Sequence, residues 1–181
     1  ALEDLAMFRT LLDGVVLYPG DAVSAEKLTG LAAEHFGNVY IRTTRAETPV
    51  IYKNSESFKI GGLKIHEGQD LNSKGKVVVI GAGITLHEAL KAQQQLAQKE
   101  IGVDVIDLYS IKPISKELIK IAKKAKARVI KTAKTTFSAW RNVGLKASKG
   151  DWVFYIDADE RVSDELKEEI KDIVQNEGSY S

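Results

Sequence analysis

Few residue groups in this sequence combine the type and spacing that chemistry requires. The first is Gly81-Ala82-Gly83, directly after the apolar run Val77–Ile80. A strand, a glycine turn and a helix make half of a dinucleotide fingerprint, whose backbone N–H groups cradle phosphates. The third glycine would stand at position 86, which is Leu86, and Asp107 is a weak match for a ribose-binding acid. A tight strand-to-helix turn is therefore the better reading. The second group is Arg42 and Arg45 in Tyr40-Ile-Arg-Thr-Thr-Arg-Ala-Glu47. A guanidinium fork binds phosphate oxygens bidentately. On the residues alone, Arg45 reads as a loop ion pair with Glu47, and Arg42 as structural. The third is Asp157-Ala158-Asp159, two carboxylates behind the run Trp152–Ile156. Acidic residues at a strand end beside a helix start are also favoured by the helix dipole alone.

The remaining candidates do not form a site. His35, His66 and His87 fall on different elements with no partner at metal-ligand spacing, and His35 and His87 read as helix-surface residues. No Ser/His/Asp arrangement emerges. There are no cysteines, so disulfides, iron–sulfur clusters and thiolate zinc sites are excluded. Trp140 and Trp152 read as core.

These groups must be positioned by a chain of 181 residues, enough for one ordinary domain or two small ones. With 44% hydrophobic and 28% charged residues, it is not a disordered chain. The longest apolar stretch, Val77–Leu86, is too short for a membrane span, which takes about 20 residues. The formal net charge of +1 conceals an asymmetry. Residues 74–131 hold twelve Lys and Arg against five Asp and Glu, whereas residues 151–177 hold three against ten. Most of the lysines line one face of the segment Lys116–Lys126, opposite Leu118, Ile119 and Ala122, without interleaved aromatics. That is a solvated helix face, and neither a nucleic-acid nor a membrane partner is expected.

Apolar periodicity gives the order of elements. Residues 1–12 read as a helix, Val15–Tyr18 as a strand stopped by Pro19-Gly20, and a helix capped by Asp21 or Ser24 runs to about Phe36. Val39–Thr43 follows as a strand, which completes a βαβ unit. After a polar connection, Phe58–Ile65 reads as an edge strand and Val77–Ile80 as a buried one. Thr85 and Glu88 suggest a capping box for a helix to about Lys99. Val103–Leu108, Ala127–Ile130 and Trp152–Ile156 read as further strands. Helices are expected from Ser115 to Ala125, from Phe137 to Ser148, and after a Ser163 cap. The predicted fold class is α/β, a βαβ unit followed by a doubly wound, mostly parallel sheet with helices on both faces.

Several of these segments, in this order, resemble the C-terminal portion of transketolase. They are Ala1-Leu-Glu-Asp-Leu-Ala-Met-Phe-Arg9, Val16-Leu-Tyr-Pro-Gly-Asp-Ala22, Tyr40–Glu47, Val79-Ile-Gly-Ala-Gly-Ile-Thr-Leu-His-Glu-Ala89 and Asp107-Leu-Tyr-Ser-Ile-Lys-Pro-Ile114. The resemblance covers about residues 1–131. It implies a partial pyrimidine-type domain over residues 1–57 and a C-terminal-type α/β domain over residues 58–131. The parent activity it implies is transfer of a two-carbon ketol unit between sugar phosphates, dependent on thiamine diphosphate with Mg²⁺. Of the family's functional residues it carries over Arg45, as a ligand of the sugar phosphate. The family's thiamine-site glutamate, stacking aromatics and substrate histidine precede the segment matched at Ala1. The resemblance thus implies no catalytic or cofactor-binding residues here, an isolated chain without turnover, and a thiamine-binding N-terminal region or subunit as partner.

A second resemblance begins at about residue 134. Phe137-Ser-Ala-Trp-Arg-Asn-Val-Gly-Leu-Lys-Ala147 and Gly150-Asp-Trp-Val-Phe-Tyr-Ile-Asp-Ala-Asp-Glu-Arg-Val162 resemble an inverting family 2 glycosyltransferase, over about residues 134–178. It implies that Asp157 and Asp159 hold Mn²⁺ or Mg²⁺ against the diphosphate of a nucleotide-sugar. Residues 132–181 would then be a β-α-β-α segment that completes or extends the sheet. The two resemblances meet within residues 118–134. The alternative to a transketolase-derived chain is a fragment of such a glycosyltransferase, using a nucleotide-sugar and a divalent metal, or a non-enzymatic chimeric scaffold. The lack of cysteines fits a reducing cytosol, and an exposed sheet edge at Val15–Tyr18 would promote self-association.

Overall fold

A computed structural model describes residues 3–69, 77–130, 132, 137–150, 152–155 and 162–175. The chain divides into two compact units, residues 1–129 and 130–181.

The first unit is mixed α/β. Helix α1 (Asp4–Arg9) leads into strand β1 (Val15–Leu17), helix α2 (Ala22–Glu34) and strand β2 (Val39–Ile41). Strand β1 pairs parallel with β2, Val16 opposite Tyr40. This is the expected βαβ unit. Its other neighbour is β6 (Ser110–Lys112), which runs antiparallel to β1 with a register irregularity between Val16 and Leu17. Strand β1 is therefore the middle strand of its sheet, and Val15, Val16 and Leu17 are all buried. The expected exposed edge at Val15–Tyr18 does not exist, because β6 returns from the far end of the unit to cover it. An edge argument for self-association fails with it.

The second sheet is built around β5 (Val103–Asp107). It pairs antiparallel with β3 (Lys64–His66) and parallel with β4 (Val77–Gly81), which reaches it through helix α3 (Ile84–Ala97). The α/β class is as expected, but the strands form two three-stranded mixed sheets. Helix α4 (Lys116–Lys124) is capped by the Ser115 hydroxyl, which accepts from the Glu117 N–H at 3.2 Å. The segment 127–130 that follows is not a strand, against expectation, although Val129 and Ile130 are β-branched. Strand propensity of so short a run is realised only through pairing.

Two apolar clusters hold the unit together. Val15, Leu17, Leu28 and Tyr109 form one, against which Leu31, Val39, Ile41, Phe58 and Ile60 pack. Leu86, Ala89, Val103 and Val105 form the other, joined by Ile51, Val79, Leu90 and Leu96. Alternate residues of β5 (Val103, Val105) face α3, as period-two side-chain geometry requires. Gly83 has φ +54°, and a Cβ there would overlap the Tyr18 ring. The glycine pair thus serves a tight turn and a close approach, as the sequence indicates.

The second unit contains helices α5 (Phe137–Ala147) and α6 (Asp164–Gln175). Both helices were expected, and the Ser163 hydroxyl caps α6 by accepting from the Leu166 N–H at 3.2 Å. Residues 152–155 are not a strand. Trp140 and Trp152, expected in a core, are 38% and 54% exposed. The second unit holds no strand among its described residues.

Candidate functional site

Parallel pairing of β1 and β2 brings their carboxyl ends to the same edge of the sheet. Ligands of open α/β sheets bind outside that edge. Here it opens into a cleft of about 380 Å³. One wall is the β1–α2 turn, Pro19, Gly20, Asp21 and Ala22. The other is the loop after β2, including Thr43, Thr44 and Glu47. Arg45 lies in that loop between two lining residues, and its own side chain is exposed rather than lining the cleft. No ion pair joins it to Glu47. Arg42 is structural, as expected. Its Nη1 lies 3.3 Å from the Asp4 carboxylate and its guanidinium sits over the Tyr18 ring.

Asp21 shapes the first wall. One carboxylate oxygen accepts from the Ser24 N–H at 2.8 Å and from the Ser24 hydroxyl at 2.7 Å. The Ser24 Oγ in turn accepts from the Asp21 N–H, a reciprocal capping box. Both candidate caps of α2 are thus used. The other oxygen accepts from the N–H groups of Ile51 and Tyr52, each at 2.9 Å. Burial works to raise the Asp21 pKa, but the donors from Ser24, Tyr52 and Ile51 outweigh it and hold it below the usual range.

Behind this wall lies a polar seam between the two sheets, whose pairing sequence reasoning missed. Tyr52, buried, donates its hydroxyl proton to Asp107 Oδ2 at 2.7 Å, and His66 Nε2 lies 3.0 Å from the same hydroxyl. Since Tyr52 donates to the carboxylate, His66 Nε2 serves as the donor to Tyr52. Asp107 is wholly buried at the end of β5, and its Oδ1 has no hydrogen-bond partner. Burial pushes its pKa up to about 7, the Tyr52 bond opposing, Asp21 adding and Lys64 opposing. Burial also lowers the His66 pKa and, with Asp107 beside it, raises that of Tyr52. His87, read as a helix-surface residue, is instead buried, its Nε2 2.6 Å from the Gly20 carbonyl oxygen. An acid inside the predicted strand Val103–Leu108 was the one signal available for Asp107. Nothing in the spacing pointed to His87.

Asp157 and Asp159 lie outside the described residues. Among the described residues, no three His, Asp or Glu side chains gather to hold a metal ion.

The architecture is thus an α/β unit with a cleft at the carboxyl ends of paired parallel strands. Residues 66–145 match the family model of the transketolase C-terminal domain. Transketolase from Rattus norvegicus is 48% identical over 132 residues, 72% of this chain and 20% of that protein. Transketolase-like protein 2 from Mus musculus is 50% identical over 127 residues, 70% of this chain and 20% of that protein. Among solved structures, a "split gene transketolase, inactive beta4 tetramer" superposes with a TM-score of 0.61 at 32% identity. It covers 69% of this chain and 40% of that one. A Pichia stipitis transketolase mutant in complex with fructose 6-phosphate shares the fold, with a TM-score of 0.53 at 23% identity over 65% of this chain and 18% of its own. The chain carries a transketolase-related C-terminal domain. It spans about a fifth of the length of the curated relatives it matches. The family match runs to residue 145, past the expected boundary at 131 and into α5. These matches lend no support to the glycosyltransferase-like segment.

Proposed function

We propose that this chain is the sugar-phosphate-binding portion of a thiamine diphosphate-dependent transketolase, which transfers a two-carbon ketol unit between sugar phosphates in the cytoplasm. The observation that carries this reading is the cleft at the head of α2, with Arg45 exposed in its outer loop and uncommitted to Glu47. Arg45 stands in the chain between the lining residues Thr44 and Ala46, and an exposed guanidinium can take phosphate oxygens bidentately. The domain reading that accompanies it is a pyrimidine-type portion over residues 1–57 and a C-terminal-type portion over residues 58–131.

On this reading the cofactor site is incomplete in this chain. No metal-holding cluster exists among the described residues, and the buried carboxylate Asp21 and imidazole His87 are engaged with this chain's own backbone. No step is therefore routed through thiamine diphosphate or Mg²⁺. The reading assigns both to a partner region or subunit, and assigns no catalytic residue to this chain. The test is calorimetric titration of the purified chain with a pentose 5-phosphate and with inorganic phosphate. Binding that is lost in Arg45→Ala, with an unchanged melting temperature, is expected. Equal binding by the variant, or ketol transfer by this chain alone, overturns the reading.

A second reading concerns residues 134–178, as part of a metal-dependent glycosyltransferase in a chimeric chain. It rests on the resemblance of residues 137–162. The Tyr155 hydroxyl donates to the Arg141 carbonyl at 3.1 Å, under the Arg141 guanidinium. Mn²⁺ with a nucleoside diphosphate would raise the melting temperature by linkage, and Asp157→Ala would remove the rise. No rise at millimolar ligand refutes it.

A further inference from the structure

Tyr52 is gripped from both sides of the first unit. Asp21, which follows β1, holds its N–H, and Asp107, which ends β5, holds its hydroxyl. Each sheet thus contributes one buried carboxylate to the same residue. The ring packs edge-on against Phe58, which packs in turn on Tyr109 of the first core cluster. The adjoining Ile51 packs in the second cluster. The connection between the sheets is therefore fastened at this point, and the fastening includes Asp21, a wall of the cleft.

Ionisation of Asp107 strengthens its bond from the Tyr52 hydroxyl but leaves a buried charge, and burial is the larger effect. When Asp107 is ionised, its wholly buried carboxylate has one donor, the Tyr52 hydroxyl, and an oxygen without a partner. When it is protonated, there is no buried charge to stabilise. The groups facing it do not reverse this balance. Asp21 repels the charge from the α2 side. Lys64, opposite Asp107 in the β3–β5 register, attracts it but is committed to Glu56 at 2.5 Å. His66 on β3, held below its ordinary pKa, and the Tyr109 hydroxyl complete the shell.

We propose that Tyr52 is a clasp between the two sheets that must keep Asp107 buried when closed, so that burial of the Asp107 charge makes the wall of the cleft at the head of α2 tight in mild acid and looser in mild base. Any opening that admits water to Asp107 returns its carboxyl toward the ordinary value of 3.8, from about 7 in the closed state. Between those values the open form takes up fewer protons and gains population as pH rises.

The test is amide hydrogen exchange of the full chain, corrected for intrinsic rates and read at Ile51 and Tyr52. The opening constant should rise about tenfold per pH unit between about pH 5 and about pH 7, then level off. Asp107→Asn should flatten the profile, and His66→Gln should leave the slope in place. A flat wild-type profile, a slope that survives in Asp107→Asn, or one that vanishes in His66→Gln overturns the clasp. Should Asp107→Asn not fold, the Asp107 carboxyl carbon is titrated by NMR in the wild type. A midpoint close to neutral supports the proposal, and one in the ordinary carboxylate range refutes it.

Discussion

Asp21→Ala gives the sharpest test of how the cleft wall is held. The substitution removes four hydrogen bonds. Two are made with Ser24 at the N-cap of α2, and two with the N–H groups of Ile51 and Tyr52 in the connection. Loss of an N-cap costs about 1 kcal/mol. A buried amide left without an acceptor costs about 1–3 kcal/mol. The Tyr52 amide is buried and that of Ile51 partly so, so the sum is about 3–5 kcal/mol. That is a large share of the roughly 5–15 kcal/mol of a typical domain. Asp21→Asn retains one acceptor oxygen and should lose about half as much.

The assay is urea unfolding followed by near-ultraviolet circular dichroism of the tyrosines. Four tyrosines, Tyr18, Tyr40, Tyr52 and Tyr109, lie in the first unit, whereas Trp140 and Trp152 both lie in the second. Tryptophan fluorescence therefore reports on the second unit separately. The pH dependence has a definite sign. The folded pKa of Asp21 is lowered, so its contribution is present above the ordinary carboxylate range and is lost as pH falls through the folded value. The gap between wild type and Asp21→Ala should narrow in acid. Asp107 acts oppositely, with a raised folded pKa that makes stability fall as pH rises from 3.8 toward about 7. An Asp21→Ala variant within about 1 kcal/mol of wild type refutes the argument that these amides depend on one carboxylate.

Two further substitutions test the packing that carries the cleft. Gly83→Ala places a Cβ on the Tyr18 ring at a positive φ, and should cost about 2–4 kcal/mol in the same unfolding assay. Leu86→Ala empties a fully buried position between α3 and β5 and should cost about 2–5 kcal/mol, whereas Leu12→Ala, at 88% exposed, should stay within about 0.5 kcal/mol.

What could be read from the sequence was local. The βαβ unit followed from the strand-like runs Val15–Tyr18 and Val39–Thr43 around an amphipathic segment with an Asp21/Ser24 cap. The glycine turn at Gly81–Gly83 followed from the positive-φ geometry that a tight turn asks of Gly83. The caps at Ser115 and Ser163 followed from side-chain oxygens that satisfy nearby N–H groups, a matter of two or three residues. Even the family resemblance rests on contiguous segments.

Only the tertiary structure decided which strands are neighbours. Nothing between Val15 and Leu17 shows that β6, almost a hundred residues later, would close its open side. Nothing in the 127–130 run shows that it would find no strand to pair with. Tyr52, His66, His87 and Asp107 stand far apart in the chain, and each alone is an ordinary residue in a connection, a strand or a helix. Their protonation and hydrogen bonding depend on burial and on partners that only packing of the two sheets supplies. Hydrogen-bond caps and turns act over a few residues and leave a trace in sequence. Desolvation acts through space and leaves none until the chain is folded.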